Sequence, residues 1–357
     1  MPVATPISAP VDTSIATSIA TPTLWGVTLG LVAVLLIADF LVTRRPHEVS
    51  VQEATSWSLF YLALPLAFGG WVWWQHGGGP GSEFLAGYVV EKSLSVDNLF
   101  VFMLLLTSFA VPAALQQRVL LFGIVGALAL RGAFIALGSV ALQSFTLTFL
   151  LFGVILLVTG VKVLRDARRA RRADGPGHQD VDVSRLRSVR LLRRAFPVTD
   201  DYRGTRLIAR DGGRRALTPL ALAVGAVLAT DLVFAVDSVP AVFGVTSDPY
   251  LVFATNAFAL LGLRALYFLL TGLLDRLVHL GYGLAAILGF IGVKLVLHWA
   301  HTTWPAVPEV PTAVSLGGIV AILATVTVTS LLATRGRPAG TPAAAPAPDP
   351  DVTRVGP

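Results

Sequence analysis

The sequence predicts an all-α polytopic membrane protein of about nine transmembrane helices, built as two inverted three-helix repeats with peripheral helices beside them. Three observations predict it. The 357-residue chain is 54% hydrophobic and 13% charged, with a mean hydropathy of +0.73, a balance foreign to water-soluble domains. Its apolar residues gather into runs of about 18 or more, long enough to cross a hydrocarbon core. Two stretches of chain also carry the same charged landmarks in the same order.

The apolar runs are approximately Leu24 to Val42, Trp57 to Trp74, Phe84 to Ala110, Val119 to Leu142, Phe145 to Leu164, Leu220 to Val245, Tyr250 to Leu274, Leu280 to Trp299 and Ala313 to Ala333. Residues 1–23 are rich in Ala, Thr, Ser and Pro without a Lys or Arg, so they lack the basic start of a signal peptide and are expected to be a disordered lead. Residues 24–164 form an N-terminal membrane half, and 217–334 a C-terminal one. Between them, 165–216 is a basic linker that holds fifteen of the 27 Lys and Arg residues. Residues 335–357 are a Pro/Ala-rich tail whose composition cannot build a core.

Charge gives the orientation. With the N-terminus outside, the inward loops contain Arg44, Arg45, Arg118, the 165–216 segment, Arg276, Arg335, Arg337 and Arg354, whereas the outward segments contain no Lys or Arg. This is the positive-inside pattern of a plasma-membrane protein with its C-terminus in the cytoplasm. Trp71, Trp73, Trp74, Trp299 and Trp304 flank outward ends as interfacial aromatics. The stretch Ser184 to Phe196 has the pattern of a basic amphipathic helix lying on anionic lipid, so the net charge of +6 is explained by topology without nucleic acid.

The repeat places the site. Glu91, four residues and Val96-Asp97-Asn98 are followed by Arg131 and by Thr159-Gly160-Val161-Lys162. Asp231, four residues and Val236-Asp237-Ser238 are followed by Arg264 and by Ile291-Gly292-Val293-Lys294. The units cover 84–164 and 217–300. Each has an odd number of spans, so the second copy is inverted relative to the first. Inverted repeats characterise secondary transporters with a midplane site.

Glu91, Asp97, Asp231 and Asp237 are the acids that fall well inside spans. Each costs a few kcal/mol or more at the bilayer centre, roughly 2.5–3.5 on insertion scales, and so marks function by default. The structural alternative is that they only pair with Lys92, Arg131 and Arg264 to tie helices together. Residues six apart are roughly 120° from sharing a face of an unbroken helix. Pro240, Asn98 and Ser238 therefore suggest helices broken near the acids, with freed carbonyls as added ligands. Cys is absent and the six His lie in loops or at span ends, leaving oxygen donors that suit a hard divalent cation: Mg²⁺, Ca²⁺ or Mn²⁺. Glu91, Asp97, Asn98, Asp231, Asp237 and Ser238 form the expected ligand set for this transported ion, with no permanently bound cofactor. Protonation of the same carboxylates would couple metal movement to protons. Asn256 is expected as interhelical glue, Arg131 and Arg264 as counter-ions, Lys162 and Lys294 as snorkelling residues and Asp39 as an interfacial acid. No HExxH, nucleophile elbow or Gly-rich phosphate loop points to an enzyme.

The segments EKSLSVDNLFVF (Glu91 to Phe102) and TDLVFAVDSVPAVFGVTSDP (Thr230 to Pro249) closely resemble the two signature segments of the TerC integral membrane family. Further likeness runs through Arg44 to Trp57, Val111 to Leu120 and Asn256 to Leu270, and covers most of the chain from Leu24 to Ala333. The resemblance implies manganese export, with Glu91, Asp97, Asp231 and Asp237 matching the family's intramembrane acids. It also brings an association with tellurite resistance and, for some plant relatives, a scaffold or insertion role. Many members carry a Glu where this chain has Leu228.

Overall fold

The computed structural model describes residues 18–43, 51–172, 198–199, 202, 204–211, 214–263, 266–267 and 279–334. The described residues form nine helices: α1 Pro22–Thr43, α2 Val51–His76, α3 Gly78–Ser108, α4 Ala113–Ser144, α5 Leu147–Arg172, α6 Pro219–Phe243, α7 Pro249–Leu261, α8 Leu280–Thr303 and α9 Thr312–Thr334. Local chemistry sets their ends. Gly77, at φ 90°, makes the turn between α2 and α3 that a side chain would disfavour. Thr218 accepts from the Ala221 N–H ahead of Pro219, and Asp248 accepts from the Tyr250 N–H ahead of Pro249, so α6 and α7 both start on a polar cap followed by proline.

Among the described residues, α1, α4, α5, α6 and α8 are long and apolar enough to cross a membrane, while α7 and α9 contain shorter apolar stretches. The acids and lysine of α3 interrupt its hydropathy. Large apolar side chains face outward on several helices, including Ile37, Leu59, Leu137, Val158 and Val328. So broad an apolar exterior is stable in lipid and not in water.

Contacts fix helix directions. Gly87 lies beside Val242 and Glu83 bonds to Thr246, so α3 and α6 are antiparallel. Gly123 packs under Val227, Gly126 under Leu228 and Gly138 near Phe243, so α4 and α6 are parallel. Gly87 meets Thr255 and Lys92 meets Ala259, so α3 and α7 are parallel. The most extensive helix pair is α5 with α8. There Gly153 approaches the Gly292 carbonyl and Val296, while Gly160 approaches the Ala285 carbonyl and Gly289, so this pair is antiparallel. Aligning Gly160 with Gly292, as the repeat does, also aligns Gly153 with Ala285. Exchanging the two units therefore turns the 160–285 contact into the 153–292 contact.

The structure departs from expectation in three places. Helix α3 runs unbroken past Glu91 and Asp97, and α6 past Asp231 and Asp237. Pro240 is held inside α6, where its missing N–H leaves the Val236 carbonyl without a helical donor and no unwinding occurs. In the stretch expected as linker, α5 continues to Arg172, and strands β1 (Ile208–Asp211) and β2 (Arg214–Leu217) form an antiparallel hairpin with Ile208 opposite Leu217. The Tyr202 hydroxyl donates to the Phe109 carbonyl at 2.7 Å and fastens this region to the end of α3. The expected amphipathic helix, Ser184 to Phe196, lies outside the described residues, as do the 335–357 tail and residues 1–17 of the lead. Ser18 and Ile19, also in the stretch expected to be disordered, are bonded to Asp248.

Candidate functional site

Four helices meet at Arg131. Small residues on α4 let α6 approach closely: a Cβ on Gly123 or Gly126 would collide with Val227 or Leu228. Just beyond this crossing Arg131 enters the bundle interior. Its Nε and Nη2 donate to Asp231 Oδ2 and Oδ1 at 3.3 and 3.2 Å. Its Nη1 donates to Glu91 Oε1 and, at 2.8 Å, to Asn256 Oδ1. Asn256 Nδ2 donates in turn to the Val252 carbonyl at 2.9 Å, which fixes the amide with its oxygen toward the guanidinium. Glu91, Arg131 and Asp231 are each 0% exposed. Sequence pairing of Glu91 with Asp231 is thus realised in space, through a cation from a third helix and an amide from a fourth.

Two carboxylates face one guanidinium, so the cluster carries one formal negative charge in excess. Glu91 Oε2 is buried and has no hydrogen-bond partner. Buried ionic groups are tolerated only when paired and fully bonded, and a bare oxygen of this kind calls for a functional explanation. Further along the same helices, Asn98 is 4% exposed and Ser238 1% exposed, and Asn98 Nδ2, Ser95 Oγ and Ser238 Oγ also lack partners. Asp237 is half-buried, while the side chain of Asp97 lies outside the described residues. The hydroxyl and carboxylate oxygens are donors that suit a hard cation. Among the described residues, however, no three His, Asp or Glu side chains converge on one point. The described acids are held apart, two of them by Arg131.

Other expected site residues fall elsewhere. Lys92 Nζ donates to the Ala259 carbonyl at 3.3 Å and so braces α3 against α7 without touching the described acids. Arg264 lies outside the described residues. Asn256, expected as interhelical glue, joins α7 to α4 through its bond from Arg131 and so belongs to the cluster. Leu228 covers Gly126 one turn before Asp231, where it fills the α4–α6 crossing with apolar volume. Asp39, expected at the interface, is buried, and it has a partner.

Sequence reasoning missed a second polar group at the start of α3. Glu83 Oε2 accepts from Thr246 Oγ1 at 2.6 Å, with Asp248 and Lys294 near enough to act on its charge. Asp248 itself accepts from Ser18 Oγ, Ile19 N and Tyr250 N at 2.7 to 2.9 Å. The Glu83–Thr246 bond ties the start of α3 to the segment that follows α6.

With the geometry described, the relatives are informative. Residues 77–337 match the Integral membrane protein TerC family. An uncharacterized membrane protein of Myxococcus xanthus is 38% identical over 318 residues, covering 89% of this chain and 94% of its own. An uncharacterized membrane protein of Mycobacterium tuberculosis is 42% identical, covering 88% and 80%. An Escherichia coli protein that bears the provisional name membrane-bound redox modulator Alx is 41% identical, covering 85% and 92%. No solved structure matches the chain. The family match spans every helix from α3 to α9 and both acidic segments, and the chain belongs to the TerC family of integral membrane proteins.

Proposed function

We propose that this protein exports a hard divalent cation, Mn²⁺ foremost, from the cytoplasm across the plasma membrane by alternating access around its intramembrane acids. In this reading the nine helices are nine spans, with the N-terminus outside, the C-terminus inside and α3–α5 and α6–α8 as inverted repeats. The alternating directions around α3, the antiparallel α5–α8 pair and its reciprocal contacts support that arrangement. Basic residues of the 165–216 segment rest against anionic lipid.

The observation that carries the reading is the buried Glu91–Arg131–Asp231–Asn256 cluster, which joins a carboxylate of one repeat to a carboxylate of the other. A rocking motion of one repeat against the other has to pass through this point. Asn98, Asp237 and Ser238 follow on the same two helices, and Asp97 is the sequence neighbour of Asn98. Binding and release need only oxygen donors and a change of access, so no chemical step is involved. Protons exchanged on the carboxylates supply the return movement.

A non-transporting scaffold would have no use for charges this costly to bury. The name of the Escherichia coli relative suggests redox modulation for that protein, but this chain has no cysteine with which to exchange thiols and disulfides. The test is cellular. Expressed in a manganese-sensitive host, the wild type should raise Mn²⁺ tolerance and lower intracellular Mn²⁺, and Asp97→Ala and Asp237→Ala should abolish both effects at equal membrane abundance. Equal behaviour of all three would defeat the transport reading. Proteoliposome flux that ignores an imposed proton gradient would remove the coupling.

A further inference from the structure

We propose that the Arg131 guanidinium is a tethered cation that competes with the transported ion for Glu91 and Asp231, so that its displacement sets how tightly cargo is held and how readily it leaves. The inference rests on the transport reading above and assigns Arg131 a part in it beyond neutralising an empty site.

The geometry is that of an occupied cation site. One guanidinium engages both carboxylates and one amide oxygen, reaching α3, α6 and α7 from α4. Arg131 meets both oxygens of Asp231 in a two-pronged contact, at 3.3 and 3.2 Å. Glu91 is engaged through one oxygen only, and its second oxygen is buried and bare. Glu91 is thus the carboxylate with one oxygen open to another cation, whereas Arg131 engages both oxygens of Asp231. A divalent ion that bridged Glu91 and Asp231 would stand where the guanidinium stands. In a water-poor interior the two cations repel strongly, and one has to leave for the other to bind.

A purely structural clasp would use the same bonds, but it makes a different prediction about affinity. If Arg131 only holds helices together, weakening it loosens the site and raises KM or reduces abundance. If Arg131 competes, weakening it removes a rival cation, so KM falls while turnover slows because cargo is no longer pushed out. Asn256 offers a mild way to weaken the clasp, since its amide oxygen accepts from Arg131 and it is uncharged.

The experiment is Mn²⁺ transport by purified protein in proteoliposomes, with KM and kcat read separately. Arg131→Gln is expected to lower KM by about tenfold and Asn256→Ala by about threefold, both with reduced kcat, because a competing charge has been removed or loosened. Arg131→Lys, which keeps the charge but not the planar fork, is expected to hold KM near the wild-type value. Should Arg131→Gln fail to reach the membrane, Asn256→Ala decides alone. An unchanged or raised KM in the variants recovered overturns the inference. Wild-type protein that carries no Mn²⁺ overturns the transport reading itself, so the two failures are distinct.

Discussion

Arg131→Gln, purified in detergent with chelator present, is expected to be about 3–5 kcal/mol less stable than wild type, the usual cost of breaking a buried ion pair from one side. The reason is the inventory around it. Removing the guanidinium leaves Glu91 and Asp231 at 0% exposure with no cation between them, and takes away the donor that Asn256 Oδ1 uses. Adding Glu91→Gln to the same chain removes one of the stranded charges and should recover part of the loss. Mn²⁺ should also recover part of it, because a ligand that binds the folded state raises its stability, and should move wild type far less. Thermal melting of the three proteins, each with chelator and with Mn²⁺, measures this. A variant that melts within a degree or two of wild type in chelator would show that the cluster is not the electrostatic keystone described above.

The second large effect is steric. A Cβ on Gly292 would stand 3.0 Å from the Gly153 carbonyl oxygen and 3.0 Å from Leu157, and a Cβ on Gly153 would stand 2.8 Å from Val296 and 3.0 Å from the Gly292 oxygen. Backbone cannot rotate away as a side chain does. Gly292→Leu should therefore force α5 and α8 apart and cost about 1–3 kcal/mol or more, the range for an overpacked core, with a sharp fall in folded protein at the membrane. Gly289→Ala is the control. A Cβ there meets nothing within 4 Å, and replacing glycine inside a helix favours the helix by up to about 1 kcal/mol. Equal behaviour of Gly292→Leu and Gly289→Ala would contradict the close approach.

Much of the site was legible because charge in an apolar run has few explanations. Glu91, Asp231 and Arg131 stand out in the sequence on cost alone, and the repeat matches the two acids to each other. Which cation would reach them was not legible, since Arg131 and Arg264 occupy equivalent positions in the two units. Only packing of α4 onto α6 through Gly123 and Gly126 decides that Arg131 spans the pair. Helix breaks were expected at Pro240, yet proline removes a single hydrogen bond and the surrounding helices hold α6 in register. Glu83 escaped notice because an acid at the edge of an apolar run looks interfacial; its burial depends on Thr246, which is far away in sequence. The hairpin had a signal, Gly212-Gly213 between two short strands, which the surrounding arginines obscured.

The α5–α8 contact has a consequence for the protein's ancestry. An interface in which position 160 of one unit meets 285 of the other, while 153 meets 292, has the self-matching form of a two-fold dimer. A half-length chain inserted in both orientations would make this contact with an upside-down copy of itself. Because each unit has an odd number of spans, the first copy ends on the side where an inverted second copy begins, so the 165–216 segment joins them in the proposed topology without crossing the membrane. In the inverted-repeat reading proposed above, the difference between Asn98 and Ser238 records divergence of the two copies after joining. A gene for either half alone, expressed with the other on a separate transcript, is the natural reconstruction of that earlier state.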